Sequence, residues 1–187
     1  MISAIVLAAG EAKRFGASKQ LAHVRGKALL QHVLDQLQSP RIGEVIVVLG
    51  AHADEIRNEI HFSRERIVIN PDHALGMSSS IQAGLRATAG DAALILLADQ
   101  PFVRPETIEL LIETYESRRP KIVIPTFAGK RGNPVIIDRS LFDAMMKIRG
   151  DVGFRAIFGD HAAEIVSVAV SDKGVVTDID TAEDLDV

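Results

Sequence analysis

The sequence contains no cysteine. That absence excludes disulfides, thiolate nucleophiles and thiolate metal sites, and it fits a reducing compartment. There is no basic surplus: the formal net charge is -4. Long DNA or RNA is therefore not expected as the main partner, because nucleic-acid binders usually carry excess positive charge. A small anion held by a local basic loop remains compatible with an acidic whole. No apolar run approaches the roughly 20 residues that a membrane helix needs. The opening MISAIVLAAG has neither the basic n-region nor the long apolar h-region of a secretory signal. The expectation is a cytoplasmic protein with no membrane partner. Histidine is sparse too: the six are scattered, and none has a partner at metal-ligand spacing.

What is present is a recurring pattern. Short apolar, β-branched runs occur at 2–7, 44–50, 66–70, 92–98 and 121–125. They are apolar on both faces, which suits strands sandwiched between helices. Amphipathic segments at 27–38, 53–60, 78–88 and 105–118 lie between them. This order predicts an α/β fold, a mostly parallel central sheet with helices on both faces. Beyond residue 126 the pattern blurs. It predicts strands at 133–138, 164–170 and 174–180, helices at 139–148 and 152–158, and a closing helix opening at 181. No linker interrupts the pattern, so residues 1–187 read as one domain.

In such sheets ligands bind beyond the carboxyl ends of the strands. Four stretches stand there. LAAGEAKRFGASKQ (7–20) crowds Lys13, Arg14 and Lys19 between Gly10 and the next element. Glycine backbone and cations of this kind cradle phosphates. The stretch is neither G-x-x-x-x-G-K-[ST] nor G-x-G-x-x-G, and spacing alone divides the odds between phosphate binding and a solvated loop. NPDHALGMSSSIQAG (70–84) sets Ser78, Ser79 and Ser80 at a helix start, where one serine suffices as a cap. In LLADQPFV (96–103), Asp99 follows an apolar strand, a place for a magnesium ligand or for an Asx turn. The fourth group is GKRGNPV (129–135), RGDVGFR (149–155) and VTDIDTAEDL (176–185). Asp178 and Asp180 are expected to face opposite sides of a strand end, one toward a shared site.

These stretches, in this order, resemble the motifs of the MobA-like nucleotidyltransferases, in particular the molybdenum cofactor cytidylyltransferase branch. The first resembles L-A-[AG]-G-x-S-x-R-x-G-x-x-K. The later motifs of that branch resemble NPDHALGMSSSIQAG, ADQPFV, GNPV, GDVGFR and DIDTAEDL, so the likeness spans essentially the whole chain. It implies a Rossmann-like nucleotidyltransferase fold and transfer of a nucleotidyl group from a triphosphate to a substrate phosphate, with Mg2+ required and pyrophosphate released. Leu7, Ala8, Ala9, Gly10, Arg14 and Lys19 would hold the nucleotide, with Ser78, Ser79 and Ser80 on its base or ribose side. Arg14, Lys19 and Asp99 would serve catalysis, and Asp99 and Asp180 the metal. Gly132, Asn133 and Pro134, with Gly150, Asp151 and Arg155, would lie toward the acceptor. Guanylyl-transferring members resemble L-A-G-G, so Ala8-Ala9-Gly10 favours CTP. Ala12 stands where the signature usually has serine, which removes one hydroxyl from the loop.

The expected substrates are CTP and a phosphorylated pterin-type acceptor of the molybdopterin class, and a molybdenum hydroxylase or its chaperone is a further partner that the resemblance admits. A phosphate monoester, with a second pKa of about 6, is already anionic near neutral pH. It needs charge neutralisation and positioning rather than a histidine or thiolate base. Three other readings compete. One is an accessory protein for molybdenum hydroxylases with another acceptor. The second is an NAD(P)-dependent reductase, against which the missing G-x-G-x-x-G counts. The third is a nucleotide sensor that binds CTP without releasing pyrophosphate.

Overall fold

The computed structural model describes residues 1–10 and 18–185. The expected phosphate-loop residue Arg14, with Ala12, Lys13 and Gly16, lies outside the described residues. Seven principal strands form one sheet: β1 (Ile2–Ala8), β2 (Ile42–Leu49), β3 (Arg66–Ile69), β4 (Ala92–Leu97), β5 (Ile122–Phe127), β6 (Val135–Asp138) and β7 (Ile165–Ala169). Their spatial order is β7-β5-β6-β4-β1-β2-β3, and the short strand Lys130–Arg131 pairs with β5. Pairing is parallel for β1 with β2 and β4, for β2 with β3, and for β5 with β7. Only β6, among the principal strands, runs against its neighbours β4 and β5. The mostly parallel sheet expected from the apolar runs is therefore present, with one reversed strand near its middle.

Alternation along β1 shows why both faces must be covered. Ile2, Ala4, Val6 and Ala8 enter one core, whereas Ile5, Leu7 and Ala9 enter the other. The first core takes Leu30, Val33 and Leu34 from α1 (Leu29–Asp35), Ile56 from α2 (Ala53–Glu59), and Ile108, Leu111 and Tyr115 from α4 (Pro105–Arg118). The second takes Ile81 and Leu85 from α3 (Met77–Ala87), and Phe142 and Met145 from α5 (Phe142–Met145). Each fully buried large aliphatic side chain is worth about 1.5–3 kcal/mol of transfer free energy, so two such layers hold the sheet between them. Among the described residues no helix is long and apolar enough to cross a membrane.

The C-terminal third departs from the expected elements. Residues 139–148 form a 3-10 turn, Arg139–Leu141, running into the one-turn α5. Residues 152–158 hold only a 3-10 turn, Phe154–Ile157. The run 174–180 is not a strand. Asp172 Oδ1 accepts from the Gly174 N–H at 2.9 Å and caps a 3-10 turn, Lys173–Val176. A Cβ at Gly174 would fall 2.1 Å from the Phe102 carbonyl oxygen, so this turn is pressed against the loop after β4. The segment from 181 makes a further 3-10 turn, Ala182–Leu185, rather than an α-helix.

Sheet direction decides where the chemistry gathers. β1 and β4 run parallel, so Ala8 and Leu97 end on the same edge. Antiparallel β6 begins on that edge, because Val135 pairs with Ile95. Its preceding residue pair, Asn133-Pro134, is thus delivered beside the end of β4. The Phe127–Lys130 pairing turns the chain over on the same side.

Candidate active site

Two clefts open on this edge. The first, about 560 Å³, is lined by Ala9, Gly10, Lys19, Gln20, His73, Gly76 and Ser80, among others. The second, about 410 Å³, is lined by Gln100, Lys130, Arg131, Asn133, Arg155, Asp178 and Asp180, among others. Asp99, Leu97 and Met77 line both. Asp99 therefore stands on the wall where the clefts adjoin.

The first cleft is built by β1 and by the start of α3. The Ala8 and Gly10 carbonyls each accept from Gln20 Nε2 at 3.0 Å, and Gln20 Oε1 accepts from Ser18 Oγ at 3.1 Å. One buried amide side chain thus fixes the backbone at the end of β1, from Ala8 to Gly10. Across the cleft, Gly76 holds φ +99°, the left-handed region that glycine enters without a Cβ penalty. A Cβ there would also lie 2.6 Å from the Asp151 backbone. This close approach brings 150–151 against the N-terminus of α3, where Asp151 Oδ1 accepts from the Met77 N–H at 3.2 Å.

The three serines do different work. Ser78 Oγ donates to the Gly150 carbonyl at 2.7 Å. Ser79 Oγ bonds the Asp72 and Gly76 carbonyls at 2.9 and 2.8 Å. Asn70 Nδ2 donates to both Ser79 Oγ and Ser80 Oγ. Of the three, only Ser80 lines the first cleft. The others spend their hydroxyls joining loops, which a run of three identical residues does not reveal.

At the junction, Lys19 Nζ lies 3.0 Å from Asp99 Oδ2 and 3.1 Å from Asp180 Oδ1. Burial pushes the Asp99 carboxyl above its ordinary value, against the pull of the Lys19 ammonium. The charges of Asp178 and Asp180 push it the same way as burial. Asp178 and Asp180 do not face opposite sides. In extended chain, residues two apart share a face. Ile179 between them is buried against Val24 and Leu29, and its N–H donates to the Asp99 carbonyl at 2.9 Å. Both carboxylates consequently line the second cleft, and Asp178 Oδ1 accepts from Gln100 Nε2 at 2.5 Å.

Asp99 Oδ1 is buried and has no hydrogen-bond partner among the described residues. A hard divalent cation takes oxygen ligands of this kind, so the carboxyl fits the implied metal. No group of three or more histidine or acidic side chains able to hold a metal occurs among the described residues. A metal here would rest on one or two carboxylates, with its other ligands from water and substrate, which is how Mg2+ is usually held.

Of the residues expected toward an acceptor, Asn133 and Arg155 line the second cleft. Gly132 has a packing reason to be glycine, since a Cβ would fall 2.2 Å from the Val175 carbonyl oxygen. Gly150 and Asp151 stand instead beside the first cleft, bonded to Ser78 and Met77. Gln20, Gln100, Lys130 and Arg131 lie inside the stretches named from the sequence without being singled out there, and Asp178 was expected on the face opposite Asp180. Only the neighbourhood of Lys130 and Arg131 to the GNPV stretch pointed toward that pair.

Comparison with known proteins places the chain among nucleotide-handling folds. The MobA-like NTP transferase domain matches residues 4–165. Nicotine blue oxidoreductase of Paenarthrobacter nicotinovorans is 29% identical over 98% of this chain and 94% of its own length. The structure of a homologue of Mycobacterium tuberculosis Rv0371c, from Mycobacterium sp. strain JC1, superposes with a TM-score of 0.87 at 28% identity, covering 99% of this chain and 93% of that one. A nucleotidyl transferase from Methanothermobacter superposes with a TM-score of 0.83 at 25% identity, over 98% and 94% of the two chains. Rv0371c itself, in complex with manganese, shares the fold with a TM-score of 0.77 at 23% identity, over 90% and 87% of the two chains.

Proposed function

This chain belongs to the MobA-like NTP transferase family, and on that premise we propose that it transfers a cytidylyl group from CTP to the phosphate of a molybdopterin-type cofactor, with Mg2+ as the metal and pyrophosphate as the second product. The whole chain, 1–187, acts as one such domain, in the cytoplasm. The observation that carries the reading is the junction of two clefts at Asp99. A transfer between two anions needs each held separately, with one shared wall where they meet.

In this reading the first cleft takes the triphosphate. Gln20 holds the Ala8–Gly10 backbone in place, and Ser80, in the first turn of α3, lines the same cleft. The ammonium of Lys19 neutralises phosphate charge. The second cleft takes the acceptor, with Lys130, Arg131 and Arg155 supplying the cations for its phosphate. An acceptor phosphate oxygen forms a bond to the α-phosphorus. The bond from that phosphorus to the bridging oxygen breaks, and pyrophosphate leaves with both electrons of that bond. No side chain need take a proton, because the nucleophile is already anionic. Asp99 and Asp180 would hold a divalent ion, which when bound would supply further charge neutralisation on the phosphates. Arg14 joins Lys19 in the nucleotide loop on the strength of the family motif, and Ala8-Ala9 selects CTP over GTP.

The likeness to an oxidoreductase over nearly the whole chain favours one second reading, reduction of an acceptor by NAD(P)H in the first cleft. One panel separates the two. CTP, GTP, ATP and UTP are each supplied with Mg2+, with and without molybdopterin, and pyrophosphate release is scored. NADPH absorbance is followed in parallel. The expected result is pyrophosphate from CTP only when molybdopterin is present, with no NADPH consumed. Faster release with GTP overturns the base assignment. NADPH oxidation without pyrophosphate release replaces the transferase reading with the reductase.

A further inference from the structure

Lys19 holds an unusual position. Its side chain is 14% exposed, and its ammonium bonds two carboxylates, Asp99 at 3.0 Å and Asp180 at 3.1 Å. A third, Asp178, stands close enough to act on Asp99. Lys19 itself lines the first cleft, whereas Asp180 lines the second. Its four-carbon stem therefore spans the junction, with the charge parked between acidic groups rather than in the cleft meant for an anion. Three carboxylates gather here, Asp99 partly buried and Asp178 and Asp180 exposed, and their repulsion weighs most on Asp99, where burial reduces the screening by water. One ammonium relieves that repulsion in the ligand-free protein.

We propose that Lys19 is a built-in counter-cation that occupies the place of the divalent metal until a triphosphate draws it away, so that nucleotide binding opens the Asp99–Asp180 pair to metal. The proposal rests on the nucleotide reading of the first cleft. Its logic is competition between two cations for two oxygens. While Nζ stays bonded to Asp99 Oδ2 and Asp180 Oδ1, those two oxygens are occupied by the ammonium and less available to a divalent ion. A triphosphate offers Lys19 a stronger anionic partner within reach of its flexible stem. Once the ammonium turns toward it, the carboxylates are left with uncompensated charge, which raises their affinity for a divalent ion. Binding of nucleotide and metal is then positively coupled, and the coupling is reciprocal. A ligand-free protein built this way also avoids sequestering divalent ions that it has no use for.

The test is metal binding in full-length protein, with no turnover involved. Mn2+ alone is titrated into wild type and Lys19→Met, and free Mn2+ is followed by its electron paramagnetic resonance signal. Methionine keeps the length of the stem and removes the charge. Without nucleotide, the variant is expected to bind Mn2+ tighter than wild type by on the order of tenfold, within the range of ordinary couplings between sites. CTP at saturation should then tighten Mn2+ binding more in wild type than in the variant. Lys19→Gln, measured the same way, guards against a folding defect peculiar to methionine. Equal or weaker Mn2+ binding by both nucleotide-free variants overturns the proposal. The nucleotide reading fails separately, if wild type binds no triphosphate in calorimetry. In that event the Mn2+ comparison without nucleotide still decides whether Lys19 guards the carboxylates.

Discussion

Replacing Gln20 with methionine tests whether one buried amide organises the nucleotide cleft. The residue is 6% exposed. Its Nε2 donates to the Ala8 and Gly10 carbonyls at 3.0 Å each, and its Oε1 accepts from Ser18 at 3.1 Å. Methionine preserves length and volume but makes none of these bonds. A net hydrogen bond contributes about 0.5–1.5 kcal/mol, and a buried group left unpaired costs more. Gly10 is exposed and water can replace its partner, whereas Ala8 and Ser18 are 2% and 3% exposed and gain no such relief. The loss is therefore about 2–4 kcal/mol. For a domain of this size each kcal/mol moves the melting temperature by about 2–4 °C, so scanning calorimetry should show a fall of roughly 5–15 °C. The functional mark is specific. The Ala8–Gly10 backbone is no longer held, so KM for CTP should rise by about tenfold, with a smaller change in kcat, the pattern of lost ground-state binding. Gln38→Met, at an exposed position, should do neither. A Gln20→Met protein with unchanged melting temperature and unchanged KM refutes the argument.

Two further outcomes follow from the site and the sheet. Asp99→Asn removes a desolvated carboxylate whose pKa lies above its ordinary value. The charged form is disfavoured by folding, so this penalty grows as pH rises past the unfolded value and is complete above the folded one. The variant should melt no lower than wild type at pH 7, yet lose pyrophosphate release by roughly 10²-fold or more; normal turnover would reduce Asp99 to a turn residue. Glu44 is the opposite case: burial raises its carboxyl, but bonds from Ser3, the Ala89 N–H and Thr88 outweigh that and hold it below its ordinary value. Its stabilisation is present above the unfolded value of 4.5 and is lost as pH falls through the folded one. In urea unfolding at a series of pH values, Glu44→Gln should therefore be less stable than wild type at neutral pH and approach it as pH falls below 4.5 and through the lower folded value; a constant difference across the series would show that the carboxylate's charge is not what stabilises it.

The sheet was legible because its signal is local and repeated. Runs such as AALILL and EVIVV must be buried on both faces, and only strands between helices do that. The reversed strand β6 was legible as a strand from VIID but not as antiparallel, because direction is set by the partner and not by the run itself. The later residues resisted for a different reason. GVVTDID has strand composition, yet Asp172 caps a 3-10 turn at its start and Gly174 is pressed onto the Phe102 carbonyl. Those are contacts with distant chain, invisible to periodicity. The same limit applies to the cleft residues. Asp99 was placed by its position after an apolar strand, whereas Gln20 and Gln100 carry no local mark. Their importance comes from what they reach: the Ala8 carbonyl twelve positions back and the Asp178 carboxylate far along the chain.

Two of the buried polar atoms without a partner among the described residues are Asp99 Oδ1 and Asn133 Oδ1. Both belong to residues that line the second cleft. Folded proteins pair nearly all buried polar groups, since leaving one unmade costs about 1–3 kcal/mol. A purely structural Asp99 would have been drawn into a turn bond by the loop it begins. A purely structural Asn133 would have spent its carbonyl on β6 or on the Val175 turn, whose carbonyl already takes its backbone N–H at 2.8 Å. Instead each keeps an acceptor oxygen uncommitted beside the same cavity, and each wants a different partner. The carboxylate oxygen suits a hard cation. The amide oxygen suits an N–H or O–H donor, which a phosphate cannot provide at neutral pH and a pterin-type ring can. In the proposed reading, Lys130, Arg131 and Arg155, which line this cleft, would meet the charge of the acceptor but read nothing of its ring. A donor-bearing ring set between Asn133 and those cations would be oriented as well as held, and orientation toward the junction at Asp99 is what an in-line transfer demands.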